Sequence, residues 1–99
     1  MSTYEANLRG MNFRPLVAQS IVMELEEGNE LLLEREPNNP HDFNAIKVLD
    51  PTTGEHLGYV AREVSRDLAP ELDSGMIGVC RCLVPGGKAT LIEIETSSP

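Results

Sequence analysis

The chain has 99 residues, which predicts one domain with a small hydrophobic core. A formal net charge of −8, with only 8 lysines and arginines, argues against a broad, non-specific nucleic-acid or membrane surface, because phosphate-rich partners attract cationic proteins. No apolar run is long enough to span a bilayer and no signal peptide is visible, so we expect a cytoplasmic protein with no membrane partner.

Three elements are expected in the first third of the chain: a strand over Tyr4–Met11, a helix over 15–27 and a strand over Asn29–Glu36. Pro15 suits a first helical turn, and Gly28 suits the position just after a helix end. Glu24, Glu26 and Glu27 oppose the helix dipole near that end. The leucine triplet 31–33 predicts a strand that is buried on both faces.

The remainder predicts strands over Ala45–Asp50, Glu55–Val60, Ile77–Leu83 and Ala89–Thr96, and a helix from Ala61. Pro70 is expected to end that helix near Leu68, with a short turn to Asp73. Cys80 and Cys82 share one face of a strand and are expected to be buried structural thiols. The fold class is therefore mainly β with two short helices, with a core over 8–95 of the domain 1–99 and a frayed tail at 96–99.

A polar loop separates the second and third expected strands. Its prolines fix φ, and its asparagines and aspartate can hydrogen-bond to nearby backbone. We expect a structured connection, and the best place on the chain for a surface function.

Signals for catalysis are weak. His41 adjoins Asp42, but no nucleophile stands in a recognisable context, and no histidine–cysteine spacing matches a zinc site. Gly86-Gly87-Lys88 is better explained as a hairpin turn than as a phosphate loop, because a strand and not a helix follows. His56 is expected to face solvent. We therefore expect no enzyme activity, no metal and no cofactor.

The segment Arg35–Val48 has the sequence REPNNPHDFNAIKV and is followed by Leu57–Val60 and Arg62-Glu63. In these residues the chain resembles the HIRAN domain family, in its stand-alone bacterial or phage form. The resemblance implies a six-stranded OB-like or SH3-like β-barrel that binds single-stranded DNA at its 3′ end, in DNA repair or replication-fork processing. Any helicase or nuclease activity would then belong to a partner.

The resemblance also implies a site. Asp42 would accept a hydrogen bond from the 3′-hydroxyl, and His41 would stack near the terminal base. The full set of candidate nucleic-acid-binding residues is Phe13, Arg14, His41, Asp42, Lys47 and Tyr59. Gly86 stands where the family has a second pocket aromatic, so the opposite wall of the pocket is expected to be missing.

Two alternatives remain open at this point. In the first, the polar residues of the loop serve only to hold its conformation and have no role in binding. The chain can also be an acidic protein-interaction or adaptor module that keeps the fold without binding DNA, which the net charge favours. DNA binding predicts that Arg14, Arg35 and Lys47 cluster beside Asp42, whereas scatter of these residues among the acids favours the adaptor module.

Overall fold

A computed structural model describes residues 1–99 as a closed, six-stranded antiparallel barrel with two α-helices. The strands are β1 (Ser2–Arg9), β2 (Glu30–Arg35), β3 (Ile46–Leu49), β4 (His56–Val60), β5 (Ile77–Val84) and β6 (Leu91–Ser97). The helices are α1 (Leu16–Met23) and α2 (Arg62–Asp73), with single 3-10 turns at Met11–Phe13 and Gly87–Ala89. The expected fold class, a mainly β barrel with two helices, is confirmed.

The barrel has the strand order β1-β4-β3-β2-β5-β6, and β6 closes it on β1. In this ring β4 lies opposite β5, so the outer surface has two distant sides. Strand alternation directs aliphatic side chains inward, and the largest fully buried ones on the strands are Leu8, Ile46, Leu57, Ile92 and Ile94. Leu68 of α2 belongs to the same core. Cys80 and Cys82 are buried and unpaired, as expected, and burial raises the pKa of the Cys80 thiol to about 12.

Both elements at the N-terminal end finish earlier than expected. β1 stops at Arg9 because Gly10, at φ 76°, turns the chain into a 3-10 helix. α1 ends at Met23 and not at residue 27. The glutamates that follow therefore lie outside the helix, with Glu24 as its C-cap residue.

α2 is continuous through Pro70, so the expected break at Leu68 is wrong. Pro70 removes one hydrogen bond to the carbonyl of Arg66, and both residues are exposed to solvent. The last turn is anchored instead by the Glu71 carboxylate, which accepts hydrogen bonds from three barrel side chains, Ser2, Tyr4 and Thr96. Tertiary anchoring here outweighs the local cost of proline.

Two further expectations need correction. β6 continues to Ser97 and Thr96 is fully buried opposite Ser2, so the tail is shorter than 96–99. Leu31 is buried, but Leu32 is 48% exposed, so β2 is not buried on both faces. No helix combines the length and the apolar character needed to cross a membrane.

Candidate nucleic-acid interface

The polar loop, residues 36–45 between β2 and β3, is held by its own side chains. Asn39 Oδ1 accepts hydrogen bonds from the backbone N–H groups of His41 and Asp42, at 2.8 and 3.2 Å. Asp42 Oδ1 accepts one from the N–H of Asn44 at 2.9 Å. Because these bonds span two or three residues, the local sequence specifies the path of the loop.

Arg35 fixes the far end of the polar loop to α2. Its guanidinium donates to the carbonyl oxygens of Ala45 and Phe43, at 2.7 and 3.0 Å. It also pairs with both carboxylate oxygens of Asp73, at 2.9 and 3.1 Å. That hydrogen-bonded guanidinium lowers the pKa of Asp73.

Arg62 joins the middle of the polar loop to the first turn of α2. Its Nη2 donates to the carbonyl of His41 at 2.9 Å, and its Nε lies 3.6 Å from Asp42 Oδ2. The Arg62 side chain remains 71% exposed. The loop is thus attached to both ends of α2, and a gap remains between loop and helix.

That gap is a cavity of about 410 Å³. It is lined by Arg9, Asn39, His41, Asp42, Ala45, Tyr59, Val60, Arg62 and Glu63. Ligand pockets have volumes of roughly 300–1,000 Å³, so the cavity can hold a small group such as one nucleotide. A more open polar cavity of about 390 Å³ adjoins it, where Arg66 joins Asp42, Arg62 and Glu63.

Tyr59 is held in the cavity wall by Glu36. The Tyr59 hydroxyl donates to Glu36 Oε1 at 2.8 Å, Asn39 donates to the same oxygen at 2.8 Å, and Lys47 Nζ lies 3.2 Å from Oε2. The hydrogen bonds from Asn39 and Tyr59 lower the pKa of Glu36. Burial, and then the Glu36 carboxylate, raise the pKa of Tyr59.

Gly58 explains how β1 reaches the cavity. A Cβ at this position would lie 2.5 Å from the carbonyl oxygen of Arg9, which is far too close. Glycine therefore allows β4 to approach β1, and the register places Arg9 beside Tyr59.

The structure brings together three of the six expected site residues: His41, Asp42 and Tyr59 line the cavity, whereas Phe13, Arg14 and Lys47 do not. Phe13 is 88% exposed in the 3-10 turn after β1. Arg14 Nε donates to the carbonyl of His56 at 3.0 Å, and Lys47 pairs with Glu36.

His56 does not face solvent as expected. It is half-buried, with Nε2 3.0 Å from the carbonyl of Gly58 and its ring edge-on to Tyr59 at a centroid distance of 4.8 Å. Burial lowers its pKa, and the positive charge of Arg14 lowers it further. The lowered pKa favours the neutral form of His56, whose ring packs against the ring of Tyr59.

The cations at the cavity are not those expected from the sequence. Arg14, Arg35 and Lys47 contact backbone carbonyls or other acids and do not cluster at Asp42. Arg9 and Arg62 line the cavity instead, with Arg62 beside Asp42, and the sequence analysis placed neither of them in the site. Arg62 belongs to the Arg62-Glu63 part of the family pattern, which is the signal that could have identified it.

The Gly86 region and possible metal ligands are the two remaining features of the sequence. None of the residues that line the cavity comes from the β5–β6 connection that contains Gly86. No group of three or more His, Cys, Asp or Glu side chains is arranged to hold a metal ion.

Comparison with known proteins agrees with this architecture. Residues 1–97 match the model of the HIRAN domain family. The crystal structure of the HIRAN domain of human HLTF superimposes with a TM-score of 0.76 at 20% identity, over 96% of this chain and 74% of that one. The HLTF HIRAN domain in its DNA-bound conformation, an NMR structure, gives 0.60 at 25% identity, over 98% and 74%.

Curated relatives are much longer proteins. A Fanconi-associated nuclease 1 homolog of Arabidopsis thaliana is 43% identical over 54 residues, or 54% of this chain and 6% of that protein. A helicase-like transcription factor of Mus musculus is 42% identical over 52 residues, or 52% of this chain and 5% of that protein. The family match over nearly every residue, together with the barrel and its attached polar loop, establishes that this chain belongs to the HIRAN domain family.

Proposed function

We propose that this chain is a single-stranded-DNA-binding module whose cavity, between the polar loop and α2, receives the 3′ end of a strand. The DNA-bound conformation described for the HLTF HIRAN domain supports the DNA-binding part. The 3′-end preference is supported by the chemistry of the cavity itself.

The observation that carries the proposal is the second carboxylate oxygen of Asp42. Oδ1 accepts the N–H of Asn44, whereas Oδ2 accepts no hydrogen bond from the protein, lies 3.6 Å from Arg62 Nε and belongs to a residue that lines the cavity. An ionised carboxylate is an acceptor only. It therefore favours a hydroxyl donor, such as a terminal 3′-hydroxyl, and repels a terminal phosphate.

Anionic groups next to that hydroxyl have cationic partners. Arg9 and Arg62 line the cavity, and Arg66 extends the positive side along α2. Arg62 stands in the first turn of α2, where a cation is unfavourable for the helix dipole and an anion is favourable. A bound phosphate would offset this unfavourable interaction, in addition to the contacts by which Arg62 holds the polar loop.

Aromatic groups supply surfaces for bases. His41 is exposed at the mouth of the cavity and stacks on the terminal base in our proposal, while Tyr59 forms the wall. Phe13 and Arg14 lie outside the cavity, where Phe13 offers a face to a preceding base. Lys47 acts by holding Glu36, which positions Tyr59.

The relatives suggest the setting. Proteins named as a nuclease and as a helicase-like factor contain a segment that is similar to this chain. The matched segment is 6% of the first protein and 5% of the second. We propose that the module presents DNA ends to a helicase or nuclease partner during repair or fork processing.

Fluorescence anisotropy with one labelled oligonucleotide, ending in a 3′-hydroxyl or a 3′-phosphate, tests the proposal. At low salt the wild type should bind the hydroxyl form about tenfold more tightly, because a hydrogen bond to a charged group contributes about 1.5–3 kcal/mol. Asp42→Asn should abolish this preference by improving binding of the phosphate form.

Asp67→Asn, an exposed carboxylate of α2 outside both cavities, is the matched control and should leave the preference intact. Equal affinity of the wild type for both ends would reject end recognition. Undetectable binding at low salt would reject the DNA-binding function as a whole.

A further inference from the structure

The outer face of β2, β5 and β6 has a character unlike the cavity side. On β2, the inward Leu31 leaves Glu30, Leu32 and Glu34 outside. On β5, the inward Cys80 and Cys82 leave Ile77, Val79 and Arg81 outside. On β6, the inward isoleucines leave Glu93 and Glu95 outside.

Three aliphatic side chains of this face form an apolar strip. Leu32 is 48% exposed, Val79 41% and Ile77 49%. The β2–β5 register pairs Glu30 with Arg81 and Leu31 with Cys80, and one further step of the same antiparallel register would bring Leu32 to the level of Val79. The strip thus crosses from one strand to the next and is not a scatter of single residues.

Acids surround the apolar strip. Glu30 pairs across with Arg81, Arg81 with Glu93, and Val79 with Glu95. Arg81 is the outward cation of these three strands, and it is already neutralised at 3.2 Å from Glu93 and 3.3 Å from Glu95. Lys47 of β3 lies opposite Glu34 but pairs with Glu36. We call Glu30, Glu34, Glu93 and Glu95 the acidic rim.

One contact shows that this charge pattern is not optimised for the barrel alone. Glu5 of β1 lies directly opposite Glu93 of β6. Like charges opposite each other on adjacent strands destabilise a sheet. Glu93 therefore faces one like charge, Glu5, and one cation, Arg81, so that a further cation from a partner would improve its electrostatic surroundings.

We propose that the apolar strip and the acidic rim form a docking surface for a basic protein segment, in which aliphatic side chains alternate with lysine or arginine. Charge complementarity selects this occupant. Nucleic acid and anionic lipid would be repelled, and a second copy of this chain would bring a second acidic rim against the first.

This surface lies across the barrel from the cavity, because β5 is opposite β4 in the strand ring. A protein partner and a DNA end could therefore be bound at the same time. The docking surface does not depend on the function proposed for the cavity.

Two-dimensional amide NMR titration with a short synthetic peptide of alternating lysine and leucine tests the inference. Shifts should concentrate on β2, β5 and β6, and added salt should weaken binding. A lysine–serine peptide keeps the charge but lacks the apolar side chains, and a glutamate–leucine peptide keeps the apolar side chains but reverses the charge. Both should bind at least about tenfold more weakly than the lysine–leucine peptide.

Leu32→Ser should raise the peptide dissociation constant about tenfold, whereas Leu16→Ser, at the exposed leucine of α1, should change it less than about twofold. Both variants should keep the wild-type melting temperature and oligonucleotide affinity. The inference is overturned if the peptide does not bind, if shifts map to the cavity or α1, or if lysine–serine binds as tightly as lysine–leucine.

Discussion

The two sides of the barrel use charge in opposite ways. On the β1-β4-β3 side, Arg9 and Arg62 border a cavity that Asp42 and Glu63 also line, and the Arg62 side chain stays 71% exposed although it pairs with Asp42. On the β2-β5-β6 side, Arg81 is enclosed by Glu93 and Glu95. The net charge of −8 is therefore the sum over two unlike surfaces, and it does not describe the electrostatic potential at either one.

The sides also differ in how their parts are held. The cavity side depends on long-range ties from the polar loop to α2, chiefly through Arg35 and Arg62. The opposite side is held mainly by backbone pairing between neighbouring strands, with one register shift after Cys82. Removing a single side chain should therefore have very different effects on the two sides.

The largest effect is expected from removal of Arg35. Arg35→Ala should lower the free energy of unfolding by about 2–3 kcal/mol, because two loop carbonyls and a carboxylate lose a charged donor whose side chain is only 16% exposed. Urea unfolding measures this loss. The same change at Arg81, whose ion pairs are solvent-accessible, should cost about 0–1 kcal/mol. Equal losses at the two sites would contradict the contrast between the sides.

A smaller effect is expected from Arg62→Ala on DNA affinity. Loss of one phosphate contact should weaken every oligonucleotide severalfold and flatten the salt dependence by about 0.7 in log–log slope, without changing the preference for a 3′-hydroxyl. Anisotropy titrations at several salt concentrations give both quantities. Lys88→Ala removes the same charge from the β5–β6 connection outside the cavity, and a comparable loss there would show that only net charge matters.

The smallest effect concerns Tyr59 and its pH dependence. Tyr59→Phe should cost about 1 kcal/mol at pH 7, since one hydrogen bond to the Glu36 carboxylate is lost. The pKa of Glu36 is lowered in the folded protein, so this stabilisation is complete above the unfolded value of about 4.3 and is lost as the pH falls through the folded pKa. The difference between variant and wild type should therefore shrink below about pH 4, as thermal melts can measure. A difference that grows with acidity would reject this account of Glu36.

Local signals predicted the elements well where the contacts are local. They located six strands that the structure contains, and they predicted that the polar loop is structured, because Asn39 and Asp42 bond to residues only two or three positions away. They failed at Pro70, where Glu71 anchors the helix end to strands that are remote in sequence. The expected role of Lys47 in the site is also not found, because Lys47 forms an ion pair with Glu36 across the polar loop.

By itself, the sequence determined the barrel class, the buried thiols, the polar loop and the presence of Asp42 in it, since propensity, strand period and short-range hydrogen bonds are properties of neighbouring residues. Only the tertiary structure decided which cations reach Asp42, that His56 supports Tyr59, and that Leu32 stays exposed within an acidic rim. Those facts depend on strand register and on which surfaces a helix covers, and both arise only when the ring of strands closes.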